Sequence, residues 1–399
     1  MKFYQKLIII ARVSLICISI SACGQKDFDT NQQLIYCVEK IKTEIEKPHD
    51  YKKFPRNIKE GETKWEHKSA FDWTSGFYPG ILWNVYSESK DENVKKAAEA
   101  YCKEQSVILS RSPRNHDLGF MIYNSHNNAY KLTGDEYYKN VMLQTADSLA
   151  TLFNPKVGTL CSWPYIKKEG WEHNTIIDNM INLELLFWAA KNGGNPALKD
   201  MAVSHAKKSA KNLIRQDYTT YHVSLYDTIS GNFIKGVTHQ GYADHTMWAR
   251  GQAWGVYGFT MTYRETGLKE FLTTAKRLAN VFIENLPEDG IPYWDFNAPD
   301  IPDAPKDASA AALIASGLIE LSQLTENEEN KSKYLNEAKK LLTILSTDKY
   351  LSKDKDASFL QHSTGHKPKE SEVDVPIIYA DYYYLEALLR LKDIENKYQ

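Results

Sequence analysis

Two aspartates hold the strongest case for chemistry. Asp178 stands near the start of NTIIDNMINLELLFWAAK, the stretch Asn174–Lys191. Apolar side chains occupy nearly every face of that stretch, and a helix without a polar face is buried all round. A carboxylate there must be paired, capped into the backbone, or used. Asp178 and Asn182, four apart, share a face. Asp117 lies in Asn115-His116-Asp117-Leu118-Gly119-Phe120. It either caps the apolar run that follows or presents its carboxylate to a cavity.

A guanidinium and several aromatic rings accompany them. Arg250 and Trp254 are four apart in Trp248-Ala249-Arg250-Gly251-Gln252-Ala253-Trp254. Arg250 suits a forked contact to a substrate carboxylate, or a buried Arg–Asp pair. Trp254 could stack on a sugar ring or fill core. Trp73-Thr74-Ser75-Gly76-Phe77-Tyr78-Pro79-Gly80 could line a pocket or pack a helix start, and Trp163 and Trp171 precede Asp178 in a loop. The stretch Tyr218 to His245 adds His222, Thr238, His239, Gln240, Asp244 and His245. Two carboxylates, a guanidinium and tryptophans point to acid/base work on carbohydrate. The histidines have no fixed spacing, so no metal site is expected. Neither a phosphate-cradling glycine loop nor a serine nucleophile elbow is present, and no cofactor is expected.

The elements that must hold these residues read as helical nearly throughout, with no clean period-two alternation. Tyr130-Lys131-Leu132-Thr133-Gly134 and Tyr263-Arg264-Glu265-Thr266-Gly267 each read as a helix stopped by glycine before a second helix. Asn192-Gly193-Gly194 does the same, and so does the acidic turn after Leu324. The signals recur at roughly sixty- to seventy-five-residue intervals, the length of about two helical hairpins. Such repeats predict an open solenoid or a closed ring of paired helices. A ring needs inner helices apolar all round and outer helices amphipathic. Asn174–Lys191 and Asp307–Leu324 are inner in type; Ala197–Arg215 and Glu326–Leu345 are outer. Asn174 or Thr175 is expected to cap the first of these. Long polar loops separate the pairs at Pro55–Ser75, Asn154–Asn174, Tyr218–His245, Asn285–Lys306 and Tyr350–Val375, and loops on a rigid scaffold carry function.

The chain has 399 residues, with 49 Lys and Arg against 51 Asp and Glu. With no basic block, nucleic acid is not an expected partner. Lys2, Lys6 and Arg12 give a basic start, and the mostly apolar run Leu7 to Ile20 leads into Ser21-Ala22-Cys23. This is the pattern of a targeting segment with small residues before a lipidated cysteine. Residues 1–22 are expected to be removed. Cys23 would carry lipid, residues 23–30 would form a tether, and 31–399 one domain. The expected location is the bacterial cell envelope, facing the periplasm or the outer surface, with membrane contact through the anchor alone. Cys37, Cys102 and Cys161 are expected as buried thiols with at most one disulfide.

Taken in order, Trp73-xxx-Phe77, His116-Asp117, Trp163, Ile177-Asp178-Asn179-Met180, His239-Gln240-Gly241-Tyr242 and Trp248 to Trp254 resemble the unsaturated glucuronyl hydrolases, glycoside hydrolase family 88. The resemblance runs from about Trp65 to the end of the chain. It includes Glu372-Val373-Asp374-Val375-Pro376 and Ala380-Asp381-Tyr382-Tyr383. It implies an all-α (α/α)6 barrel and removal of a 4,5-unsaturated uronic acid from oligosaccharides released by polysaccharide lyases. By position it makes Asp178 the general acid/base and Asp117 the second essential acid. Trp73, Phe77, Trp163 and Trp254 would surround the unsaturated ring. His116, His222, Gln240 and Arg250 would contact its hydroxyls and carboxylate, with Gly236 and Thr238 contributing. His362 to Ser371 would border the next sugar, where Lys367 and Lys369 suit an acidic neighbour. A monomer is expected. Unsaturated rhamnogalacturonyl hydrolases are the near alternative, but there the arginine helix reads Arg-Gly-Asn-Gly-Trp. A noncatalytic sugar-capture lipoprotein on the same fold is the other.

Overall fold

The computed structural model describes residues 28–166 and 168–397. The expected leader, and Cys23 with it, lie outside the described residues. The chain forms α1 (Thr30–Ile45), β1 (Phe54–Asn57), β2 (Glu66–Lys68), α2 (Phe77–Ser89) and α3 (Glu92–Gln105). A π-helix over Gly119–Asn127 runs into α4 (Asn128–Thr133), followed by α5 (Glu136–Ala150), β3 (Phe153–Asn154), β4 (Thr159–Leu160), β5 (His173–Ile176), α6 (Asn179–Lys191) and α7 (Ala197–Asn212). Then come β6 (Val223–Tyr226), β7 (Phe233–Val237), α8 (Ala249–Thr266), α9 (Lys269–Glu284), α10 (Ala308–Leu324), α11 (Glu328–Leu345) and α12 (Ile378–Lys397).

Six helices close an inner ring. α2 touches the π-helix, which touches α6; α6 packs on α8, α8 on α10, α10 on α12, and α12 returns to α2. Each has an outer partner: α3, α5, α7, α9, α11 and, on α12, α1. This is an (α/α)6 barrel. Sequence type decides the layer. α10 buries every residue from Ala308 to Ile319, whereas α11 buries only Tyr334, Ala338, Leu341, Leu342 and Leu345. The hairpin stops fall where the glycines predict them: Gly134 and Gly267 close helices at φ of 68° and 70°, in the left-handed region. Farther along the inner helices from their N-termini, Arg264 of α8 pairs with Glu184 of α6 and Glu320 of α10, and Arg390 of α12 reaches Glu320 at 2.9 Å.

Three expectations need correction. Residues 173–176 are strand, not the first turn of a helix. β5 pairs antiparallel with β6, and β6 with β7. Asn174 therefore caps nothing; its side chain accepts from Trp163 N at 3.0 Å and donates to the carbonyls of Trp163 and Trp171. Short strands do occur, but most span two to four residues, too few for alternation to register. The folded body also begins earlier than residue 31, since Asp29 caps α1 by accepting from Gln32 N and Thr30 is buried. Cys37, Cys102 and Cys161 are buried free thiols.

Candidate active site

A cavity of about 410 Å³ opens where the inner helices start. Five of its lining residues stand just before or just inside an inner-helix N-terminus, and the rest come from the connecting segments. Trp73 precedes α2, Asp117 the π-helix and Asp178 α6; Arg250 lies in the first turn of α8 and Tyr379 in that of α12. Helix N-termini carry partial positive charge and free amide donors. A ring of them directed at one cavity favours an anionic ligand.

The small sheet places the acid. Ile176 pairs with Val223, and Ile177 N donates to His222 O at 3.0 Å. Asp178 emerges directly after β5, at the N-cap position of α6, yet its side chain makes no cap bond. It is 9 % exposed, and Oδ2 has no hydrogen-bond partner. Burial pushes its carboxyl up to about 7, against the lowering pull of Arg250 and of its own amide. Asp117 does not cap either; the residue before the π-helix is Leu118, without a side-chain cap bond. Its carboxyl faces the cavity, raised well above the usual range by burial, then by Asp178 and Asp72. Two nearly buried carboxyls in one cavity wall therefore favour their protonated forms.

A raised carboxyl pKa fixes the sign of two pH effects. The folded chain binds the Asp178 proton between about pH 4, where the unfolded group titrates, and about pH 7, so stability falls as pH rises through that window. The gain in melting temperature of Asp178→Asn over wild type is expected to grow from about pH 5 to about pH 8. A gap independent of pH would show that Asp178 titrates normally. If the protonated form is the working one, turnover falls about tenfold per pH unit above about 7.

Of the other expected site residues, Trp73, Trp163, Gln240 and Arg250 line the cavity. Arg250 also forms the buried pair: Nη1 donates to Asp307 Oδ2 and to Thr364 O, both at 2.6 Å, and Nη2 to Gly365 O. Its guanidinium lies 4.6 Å over the Trp248 ring. The buried-pair reading of this residue holds, and the same side chain lines the cavity.

Phe77 and Trp254 do not line the cavity. Phe77 is fully buried against Trp73, Phe120, Tyr379 and Tyr382, and Trp254 packs on Phe120 and Tyr383 at 1 % exposure. Trp254 lies past the first turn of α8, where side chains face other helices, while Phe77, the first residue of α2, is turned into the aromatic cluster behind Trp73. His116 is buried, with Nε2 3.0 Å from Asp117 Oδ1 but without the angle of a hydrogen bond. Burial pushes its ring down to about 3, so it is neutral. His222 sits behind Asp178 rather than in the wall. Gly236 belongs to β7, where a Cβ would come within 2.4 Å of the Tyr221 ring. Thr238 builds the turn below Gln240, accepting from Gly241 N at 2.8 Å.

The segment His362 to Ser371 does border the cavity, through Gly365, His366, Lys369 and Ser371. Lys367 is instead turned to Glu370 at 2.8 Å. Sequence reasoning missed Arg56, Tyr165 and Tyr379, and gave Glu372 a place in the resemblance but no site role. Arg56 links the wall by donating to Glu372 and, at 2.7 Å, to Asp72. Arg56 lies in β1, within a stretch that reads as a polar loop, and nothing there marked it; Tyr379 reads as core of an apolar helix. Among the described residues, no cluster of His, Cys, Asp or Glu could hold a metal ion.

The description Glycosyl Hydrolase Family 88 matches residues 45–394. An unsaturated glucuronyl hydrolase of Formosa agariphila is 42% identical over 349 residues, 86% of this chain and 85% of that protein. An unsaturated chondroitin disaccharide hydrolase of Streptococcus pyogenes is 35% identical, covering 82% of this chain and 83% of its own. The crystal structure of an unsaturated glucuronyl hydrolase specific for heparin superposes with a TM-score of 0.87 at 40% identity, covering 92% of this chain and 98% of that one.

Proposed function

This chain belongs to glycosyl hydrolase family 88, and from that premise we propose that it removes a 4,5-unsaturated glucuronic acid from the non-reducing end of lyase-generated oligosaccharides. The observation that carries the reading is Asp178: a buried carboxyl, pushed up to about 7, in the wall of an aromatic-lined cavity.

The substrate is a vinyl ether, so the demanding step is protonation of a carbon. The Asp178 acid gives its proton to C4, and positive charge develops at C5 and the ring oxygen. Water adds at C5, directly or after an internal attack, and the resulting hemiketal collapses with release of the neighbouring sugar. A carboxyl protonated near neutral pH suits this step. Distance rules for retaining and inverting glycosidases do not apply. Asp117, held in its acid form beside Asp178, can donate to a ring hydroxyl. The converging helix starts and Arg250 suit the substrate carboxylate.

The test is loss of ultraviolet absorbance of the conjugated uronate, with disaccharides prepared from chondroitin, hyaluronan, heparin-type and algal glucuronan substrates. Turnover within this set is expected, and its ranking names the polysaccharide. Turnover of rhamnogalacturonan fragments alone would move the chain to the neighbouring activity. Binding without turnover would leave a capture protein.

We also place the protein, as a monomer, in the bacterial cell envelope, anchored by lipid on Cys23 and facing the periplasm or the outer surface. The basic start, the short apolar run and Ser21-Ala22-Cys23 support this. Cys23→Ala is expected to shift the protein from the membrane to the soluble fraction with its activity intact. Retention in the membrane fraction would mean an uncleaved anchor.

A further inference from the structure

The orientation of His222 is fixed by two amides. Its Nδ1 accepts from His239 N at 3.2 Å and from Gln240 N at 3.0 Å. A ring nitrogen that accepts carries no proton, so the neutral imidazole must hold its proton on Nε2. Protonating Nδ1 as well would break both bonds. It would also charge a ring only 2 % exposed that faces His239, His366, His116 and Arg250, and burial holds this ring well below the ordinary histidine range. Nε2 has no hydrogen-bond partner. It lies 3.7 Å from Asp178 Oδ2, which is likewise buried and without one. An obligate donor and an acceptor, both closed to solvent, face each other across that gap. With Oδ2 enclosed, Oδ1 is the oxygen left to face the cavity.

We propose that His222 is a positioning residue for the acid: its Nε2–H holds Oδ2 of Asp178, keeps the transferable proton on Oδ1, and stabilises the carboxylate that remains once the proton has moved to C4. This rests on Asp178 being the acid. It places His222 behind the carboxyl instead of on the sugar. The proton balance closes without the histidine. The Oδ1–H bond breaks as the C4–H bond forms, and the water that adds at C5 returns a proton to the carboxylate. His222 stays neutral throughout. The strand pairing of β5 with β6 builds the contact, because it sets Asp178 and His222 side by side. The charged or titratable groups facing Asp178 are Asp117 ahead of the π-helix, Arg250 of α8 and His222 ahead of β6. Arg250 and Asp117 remain when His222 is replaced. Loss of the Nε2–H therefore destabilises the carboxylate specifically, raising the alkaline limb of the rate profile while lowering kcat.

Two measurements test this. In imidazole-15N-labelled wild type, the His222 signals are assigned by their disappearance in His222→Gln. They are expected to report the Nε2–H tautomer at both ends of the range from about pH 5 to about pH 8. A proton on Nδ1, or a ring that becomes charged in that range, overturns the proposal. The second is the pH–rate profile of His222→Leu and His222→Gln on an unsaturated disaccharide. Removing one preorganised donor is expected to lower kcat about 100-fold in His222→Leu, with the alkaline limb displaced upward. Glutamine can place a donor where Nε2 stood and is expected to restore both in large part. A fall in kcat with the limb unmoved, or glutamine as impaired as leucine, overturns it. Asp178→Asn is the control. If its kcat stays near the wild-type value, the reading of the acid has failed; if it falls by about two orders of magnitude or more while His222→Leu keeps the wild-type profile, only this inference has. Should His222→Leu not fold, the tautomer decides.

Discussion

Asp178→Asn is expected to lower kcat by about two to four orders of magnitude, the range for loss of a positioned general acid. The amide keeps the size and the donor capacity of a protonated carboxyl, so it can occupy the same place. It cannot give up a proton to carbon. Affinity for an unsaturated disaccharide, read by calorimetry, should stay within a few-fold, because the walls formed by Trp73, Trp163, Gln240 and Arg250 are untouched. The fold should be no weaker, since the substitution removes a carboxyl that burial already disfavours in its charged form. Equal loss of binding and rate would indicate a collapsed site instead of a missing acid.

Asp307→Ala is expected to cost about 3–5 kcal/mol of folding stability, read as a lowered urea midpoint. Asp307 is fully buried and caps α10 by accepting from Ser309 N at 3.1 Å. It also takes Arg250 Nη1 at 2.6 Å and Thr364 N at 3.3 Å. One carboxylate thus joins α8, α10 and the segment that carries Gly365, His366 and Lys369. Truncation leaves a guanidinium buried at 2 % exposure, with carbonyls but no counter-charge. Coulomb attraction inside a protein is far stronger than in water, and so is the cost of losing it. KM should also rise, because the wall segment loses its anchor. A loss below about 1 kcal/mol would show that water or the carbonyls compensate the charge.

The ring of helices was legible because its signals are local and repeated. Glycine stops at Gly134 and Gly267 and the contrast between Ala-rich Asp307–Leu324 and charged Glu326–Leu345 follow from helix physics alone. The sheet was not legible. His173–Ile176 is strand only because Val223–Tyr226 lies beside it, and a four-residue strand running into an apolar helix keeps no period of its own. Asp178 stood out because a carboxylate on a buried stretch demands an explanation. Arg56 and Glu372 meet from opposite ends of the chain, so no spacing could join them. Trp254 shows the opposite limit: its type suits sugar stacking, but whether an inner-helix side chain reaches the cavity depends on which turn it occupies.

The central claim is that a fixed carboxyl protonates C4 of the unsaturated ring, and the most direct measurement is the reaction in D2O. The released product would be examined by NMR at early times, before its ketone exchanges with solvent. The predicted result is one deuteron at C4, in a single one of the two diastereotopic positions, with product from Asp178→Asn formed about two to four orders of magnitude more slowly. Deuterium spread over both positions would contradict it, because C4 would then acquire its proton from solvent after the sugar had left.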